Sequence, residues 1–301
     1  MNGLPIVFDR DLLALRRQRA LAAPSDFLLA HVAADLVERL SAVRRDFAMA
    51  ADIGTPLPTL AAALAASGRV ERTLWLAPSA AAAATYPGAS VVGDEEALPF
   101  ADHSLDLAVS ALSLHFVNDL PGTFAQIRRA LRPDGLFLAA LLGGETLREL
   151  GESLVAAEAE MAGGASPRVA PFVEVRAAGA LLQRAGLALP VVDQDRLTVR
   201  YADPIALMRD LRAMGAGNVL AERSRTPLRR DVLARALAIY GDRFADADGR
   251  IRATFDVISL SGWAPHESQQ KPLRPGSAKA RLADALGTVE RPAGEKAGGS
   301  G

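Results

Sequence analysis

The sequence predicts a doubly wound α/β fold, in which helices cover both faces of a mostly parallel sheet. Short continuous apolar runs alternate with helical stretches through residues 47–161, and strands that are apolar on both sides belong to sheets buried on both faces. Two late strands are then joined by a long helical insertion, which suits an antiparallel edge. The chain has 301 residues, 50% of them hydrophobic, enough for one large core or two small ones.

Residues 1–45 read as amphipathic helices, "DLLALRRQRAL" and then "DFLLAHVAADLVERLSAVRR", forming an N-terminal cap on a domain over 46–286. A strand at 47–53 leads to a helix from about 56 to 66, whose first turn suits Pro56 or Pro58. "RTLWLA" (72–77) is the second strand and is followed by an alanine-rich segment. "SVVG" (90–93) and "SLDLAVSAL" (104–112) are the third and fourth. "DLPGTFAQIRRALRP" (119–133) predicts a helix that ends at proline, "GLFLAALLG" (135–143) a fifth strand and 145–161 a long helix. A helix over 172–186 and a partly alternating strand ending at 201 follow. Residues 203–250 form the helical insertion, and "TFDVISLSGW" (254–263) is the last strand. The glycine-rich tail at 287–301 reads as disordered.

Composition narrows the function classes. No apolar run reaches the ~18 residues of a membrane span, because charges interrupt each one. The N-terminal stretch mixes acids with arginines and lacks an apolar signal core, so a cytoplasmic protein is expected. Zero cysteines exclude disulfides, thiolate zinc sites and a cysteine nucleophile. A formal net charge of −1 gives no footprint for nucleic acid.

Several blocks carry a resemblance: "FDRDLLALRRQRA", "DEEALPFADHSLDLAVSALSLHFVNDLPG", "LRPDGLFLAALLGGETLREL", "SPRVAPF" and "GWAPHESQQKPLRPGSAKARL". They resemble one branch of the class I S-adenosylmethionine-dependent methyltransferases, from about residue 7 to 286. It is the branch of the mitochondrial complex I assembly factor 5 and its bacterial relatives, close to the malonyl-acyl-carrier methyltransferases of biotin synthesis. The resemblance implies a Rossmann-like, seven-stranded sheet with one antiparallel strand, S-adenosylmethionine as cofactor, and a protein substrate, with a complex I subunit as the candidate.

It also implies sites. The first strand should end in an acid and a glycine loop around the methionine part of the cofactor. Asp52 and Gly54 match the start of that pattern, while Thr55, Pro56, Leu57 and Pro58 replace the later glycines. The acid that holds the ribose hydroxyls after strand two is replaced by Ala77-Pro78-Ser79. A buried charge-assisted hydrogen bond is worth roughly 1.5–3 kcal/mol, so its absence weakens binding about ten- to a hundredfold. Asp94 and Glu95 stand where relatives contact the adenine amino group, or form a solvated acidic turn. Leu114, His115 and Asn118 follow strand four and face the methyl group in relatives, with Phe116 as an apolar wall; a half-buried structural histidine is the plain alternative.

Three other segments have two readings each. Glu145 or Thr146 caps the next helix or touches ligand. Arg16, Arg17 and Arg19 bind a carboxylate or acidic partner, or form a solvated helical face. His266, Glu267, Ser268 and Gln269 follow the last strand, beside a Trp263 expected in the core, and are expected to recognise substrate or partner.

Three functions fit these features. Methyl transfer from a sulfonium needs alignment more than acid–base groups. Hydroxylation of an arginine on a complex I subunit, associated with eukaryotic members, needs a metal or organic cofactor. An iron triad would draw on His115, His266 and either Asp94 or Glu267, though their spacing signals no metal. The third reading is a non-catalytic assembly factor with a degenerate cofactor site.

Overall fold

The computed structural model describes residues 6–269 and 287–289. β1 (Phe47–Ile53), β2 (Val70–Ala77), β3 (Ala89–Val92), β4 (Leu105–Ala111), β5 (Leu131–Leu142), β6 (Ala188–Tyr201) and β7 (Ile251–Trp263) form one sheet. Their spatial order is β3-β2-β1-β4-β5-β7-β6. Neighbours from β3 to β5 are parallel, and β7 runs antiparallel to both β5 and β6. The chain steps outward from β1 to β3 and returns to β4 beside β1. The crevice at that reversal, beyond the carboxyl ends of the strands, is where open α/β sheets bind ligands.

Both faces of the sheet are covered, which explains the unbroken apolar runs. Side chains alternate between faces along a strand. On one face Leu107 and Val109 of β4 meet α2 (Phe27–Ser41) and α3 (Thr59–Ala66) through Leu36, Leu40, Leu60 and Leu64. On the other, Ala108 and Phe137 pack with Phe124 and Ile127 of α5 (Leu120–Ala130) and Leu182 of α7 (Val175–Arg184). A third cluster joins α6 (Arg148–Ala162), α8 (Pro204–Ala213) and α9 (Arg230–Phe244) to Ala253 and Phe255 of β7. α1 (Arg10–Ala20) and α4 (Ala80–Ala83) complete the set.

Two local expectations change. The helix expected over 119–133 stops at Ala130, and Leu131 already pairs with Leu105 as the start of β5. Pro133 falls in the irregular stretch between that pair and Leu107↔Leu136, where no ladder donor is needed. The alanine-rich segment after β2 yields only the single turn of α4, whose amino end is capped by Ser79.

The chain divides into two compact units, Met1–His266 and Glu267–Gly301. The first holds every strand and helix named above. Apart from Gly287–Val289, the expected tail at 287–301 lies outside the described residues. Among the described residues, no helix is long and apolar enough to cross a membrane.

Candidate functional site

Loops from the carboxyl ends of β1, β3 and β4 meet at one point. β1 turns out at Gly54, whose φ of +68° suits glycine and whose missing Cβ would lie 2.3 Å from Glu95 Cγ. Glu95 follows β3 and is buried. Its carboxylate accepts from Arg10, from Arg17 Nη1 at 3.2 Å and from the Ser113 hydroxyl; Arg10 also donates to Asp94 at 2.7 Å. Arg17 Nη2 donates to Ser113 Oγ at 3.1 Å. Arg10 and Arg17 stand two turns apart on α1, so both face the sheet. Burial would raise the Glu95 carboxyl, but Arg17, Arg10 and Ser113 outweigh it and hold it down to about 2.

The loop after β1 is stiffened by side chains. Thr55 Oγ1 donates to Asp52 and accepts from the Ala111 N–H at 3.0 Å, while the Thr55 carbonyl accepts from the Trp75 indole at 3.0 Å. Asp52 is fully buried, and its Oδ2 has no hydrogen-bond partner. Burial, partly offset by Thr55, pushes its carboxyl up to about 7.

With α1 docked, these residues do not fit S-adenosylmethionine. The cavity between Arg10, Arg17, Pro78, Asp94 and Glu95 measures about 120 Å³, whereas sites for drug-sized ligands hold roughly 300–1,000 Å³. Glu95 and its two guanidinium partners fill the space beside Gly54, and Ser79 is engaged in capping α4.

Arg17 also walls a second, much larger cavity of about 850 Å³. His115 and Phe116 reach it from the 3-10 turn Leu114–Phe116, and Pro56 and Leu57 form part of its wall rather than filling it. The His115 ring lies against Phe116 and Phe172, and its Nδ1 accepts from the Leu142 N–H at 3.4 Å. Burial and the charge of Arg17 push His115 down to about 3, so the ring is neutral and its proton is on Nε2.

Other expected site residues are placed differently. Leu114 is 1% exposed and belongs to the sheet core, lining neither cavity. Asn118, expected at the catalytic mouth, is bonded to the segment before α1. Its Oδ1 accepts from the N–H groups of Val7 and Phe8, both at 2.8 Å, and its Nδ2 donates to the Phe8 carbonyl. Thr146 caps no helix; it is bonded to the Asp256 backbone of β7, and the N-cap of α6 is Leu147. Asp94 is exposed on the small cavity, and Arg16 and Arg19 line the large one. His266, Glu267 and Ser268 are exposed after β7, with Glu267–Gln269 in the second unit. Trp263 is half-buried against the core. Among the described residues no group of three His, Asp or Glu side chains is placed to hold a metal ion. Arg209 and Arg212 line the large cavity without any motif to announce them, while Arg168, also lining it, and Ser113, bonded to Arg17, lie in blocks that carry the resemblance without being marked there as site residues.

Comparison with known proteins shows the fold and the family. A family model described as a methyltransferase domain matches residues 52–139. The solved structure of YcgJ from Bacillus subtilis has a TM-score of 0.53 at 16% identity, covering 77% of this chain and 98% of its own, which shows a shared fold. A malonyl-[acyl-carrier protein] O-methyltransferase of Xylella fastidiosa is 40% identical over 179 residues, 60% of this chain and 58% of that protein. The mitochondrial arginine hydroxylase NDUFAF5 of Danio rerio is 38% identical over 290 residues, 92% of this chain and 89% of its own length. On a likeness that runs nearly end to end in both proteins, the chain belongs to the NDUFAF5 arginine-hydroxylase family.

Proposed function

We propose that this chain acts on a protein substrate during assembly of respiratory complex I, with arginine hydroxylation as its reaction and the cytoplasm as its place of work. The observation that carries this reading is the end-to-end likeness to the Danio rerio hydroxylase. The nucleotide side of the crevice is closed by the chain's own ion pairs, which favours a reaction other than methyl transfer. Insertion of oxygen into a C–H bond requires an oxygen-activating cofactor. A second reading, methyl transfer from S-adenosylmethionine, is favoured by the methyltransferase-domain match and by Asp52, Gly54 and Asp94 at the family positions. It requires α1 to leave Glu95.

The test compares complex I from cells lacking the chain with complex I from complemented cells, by mass spectrometry of subunit peptides. One added oxygen on an arginine, lost on deletion and restored on complementation, is expected. A chain-dependent methyl group selects the second reading. Restored assembly without any modification selects a non-catalytic assembly factor, and normal complex I in the deletion strain overturns all three.

A further inference from the structure

The large cavity has a lopsided chemistry. Among the described residues, six arginines line it, at positions 16, 17, 19, 168, 209 and 212, and no aspartate or glutamate does. Arg17 is paired with Glu95, and Arg168 with Glu158. Among the described residues no ion pair engages the other four. Arg16 lies against the loop at Gly217, where an added Cβ would stand 2.2 Å from Arg16 Nη1. Gly215, at φ +71°, lets the same loop approach the Arg17 backbone to within contact. Burial and the fields of Arg223, Arg19 and Arg212 push the Arg16 guanidinium below its ordinary range, as expected for like charges held close.

The walls between these charges are apolar, with Leu28, Leu112, Leu142, Leu150, Phe172 and Met208 among them. Of the other polar side chains, two are already engaged. The His115 Nδ1 is taken by the Leu142 N–H. Asn218 is engaged at both ends, donating to the Pro167 carbonyl and accepting from the Leu220 N–H. A bound peptide would need acceptors for its backbone N–H groups, whereas an alkyl chain needs none. A lone arginine side chain entering here would meet like charges, so this chamber is not shaped for the guanidinium of a substrate.

We propose that the large cavity binds an amphiphilic anion, a carboxylate or phosphate head on an apolar chain, with Arg16 and Arg212 on the head and the leucine-rich wall around the chain. The volume lies within the range of small-molecule sites, and guanidinium groups recognise carboxylate and phosphate through paired hydrogen bonds. The site is independent of the reaction proposed above.

The test is calorimetric titration of the full chain with decanoate, decyl phosphate and decanol, each kept below its aggregation concentration. One-to-one binding of both anions is expected, with decanol about tenfold or more weaker. A similar loss of anion affinity is expected in Arg16→Gln/Arg212→Gln, and in Arg209→Gln/Arg212→Gln on the exposed side of α8 should the first pair unfold the chain. Sedimentation with phosphatidylglycerol vesicles through the same arginines identifies a membrane lipid as the source of the head group. Binding in solution without sedimentation identifies a free anion. Equal affinity for decanol, unchanged affinity in folded variants, or binding of a glutamate-rich peptide when neither anion binds overturns the proposal.

Discussion

The side chain that Gly54 lacks and the Glu95 side chain claim the same space, with 2.3 Å between the missing Cβ and Glu95 Cγ. The turn after β1 is therefore fitted to the carboxylate after β3, and through it to α1. Gly54→Ala should destabilise the chain by about 2–4 kcal/mol, part from the left-handed backbone and part from displacing Glu95. In a Glu95→Ala background only the backbone part, about 1–2 kcal/mol, should remain. Urea denaturation of the four proteins gives the cycle; equal costs in both backgrounds would show that the two residues do not interact.

Breaking the buried ion pair from one side should be worse than removing it altogether. Arg17→Met leaves Glu95 buried with Arg10 alone and should lower stability by about 3–5 kcal/mol. Arg17→Met/Glu95→Met should recover a large part of that loss, because no uncompensated charge is left inside. A double variant less stable than Arg17→Met would refute this account.

Two buried groups should oppose one another in the pH dependence of stability. The Asp52 carboxyl is raised to about 7 in the folded chain, so it binds a proton more tightly folded than unfolded. Its contribution is fully present below about pH 4 and lost as pH rises toward 7. His115, lowered to about 3 from 6.5, behaves in the opposite sense, its stability present above 6.5 and lost as pH falls toward 3. Relative to the parent, Asp52→Asn should gain on the order of 3 kcal/mol between pH 4 and pH 8, and His115→Phe should flatten the acid limb. Urea midpoints measured across this range check both slopes.

Asn118 fastens the segment before α1 to the loop after β4, so its loss should act locally. Asn118→Ala should raise amide exchange across Val7–Ala20 while lowering global stability by only about 1–2 kcal/mol. If exchange in α1 is unchanged, Asn118 does not anchor it.

The sheet was legible because its signal is local and repetitive. Leu107, Ala108 and Val109 are buried whichever face they point to, and such a run has few other uses. The helix boundary at Ala130 was not, because Leu131 is apolar in either assignment and only its pairing with Leu105 decides. At the site, Asp52, Gly54, Glu95 and His115 were marked by motif position. What they do depends on partners far along the chain: Arg10 and Arg17 lie 85 and 78 positions from Glu95, and Asn118 lies 111 from Val7. The arginines of the large cavity come from α1, the segment before α7, and α8, and no spacing rule brings three such segments together.

The position of β7 sets the order in which this molecule can be finished. Among the described residues the last strand to be synthesised is inserted between β5 and β6, with neighbours on both sides from Leu136 to Leu142 and from Ala188 to Tyr201. Until Ile251–Trp263 has left the ribosome, β5 presents an open edge and β6 has no partner in the sheet, both of them templates for pairing with another chain. The nascent protein is thus committed to holding a half-built sheet until more than four-fifths of its length is made, a window in which a chaperone has a defined surface to cover.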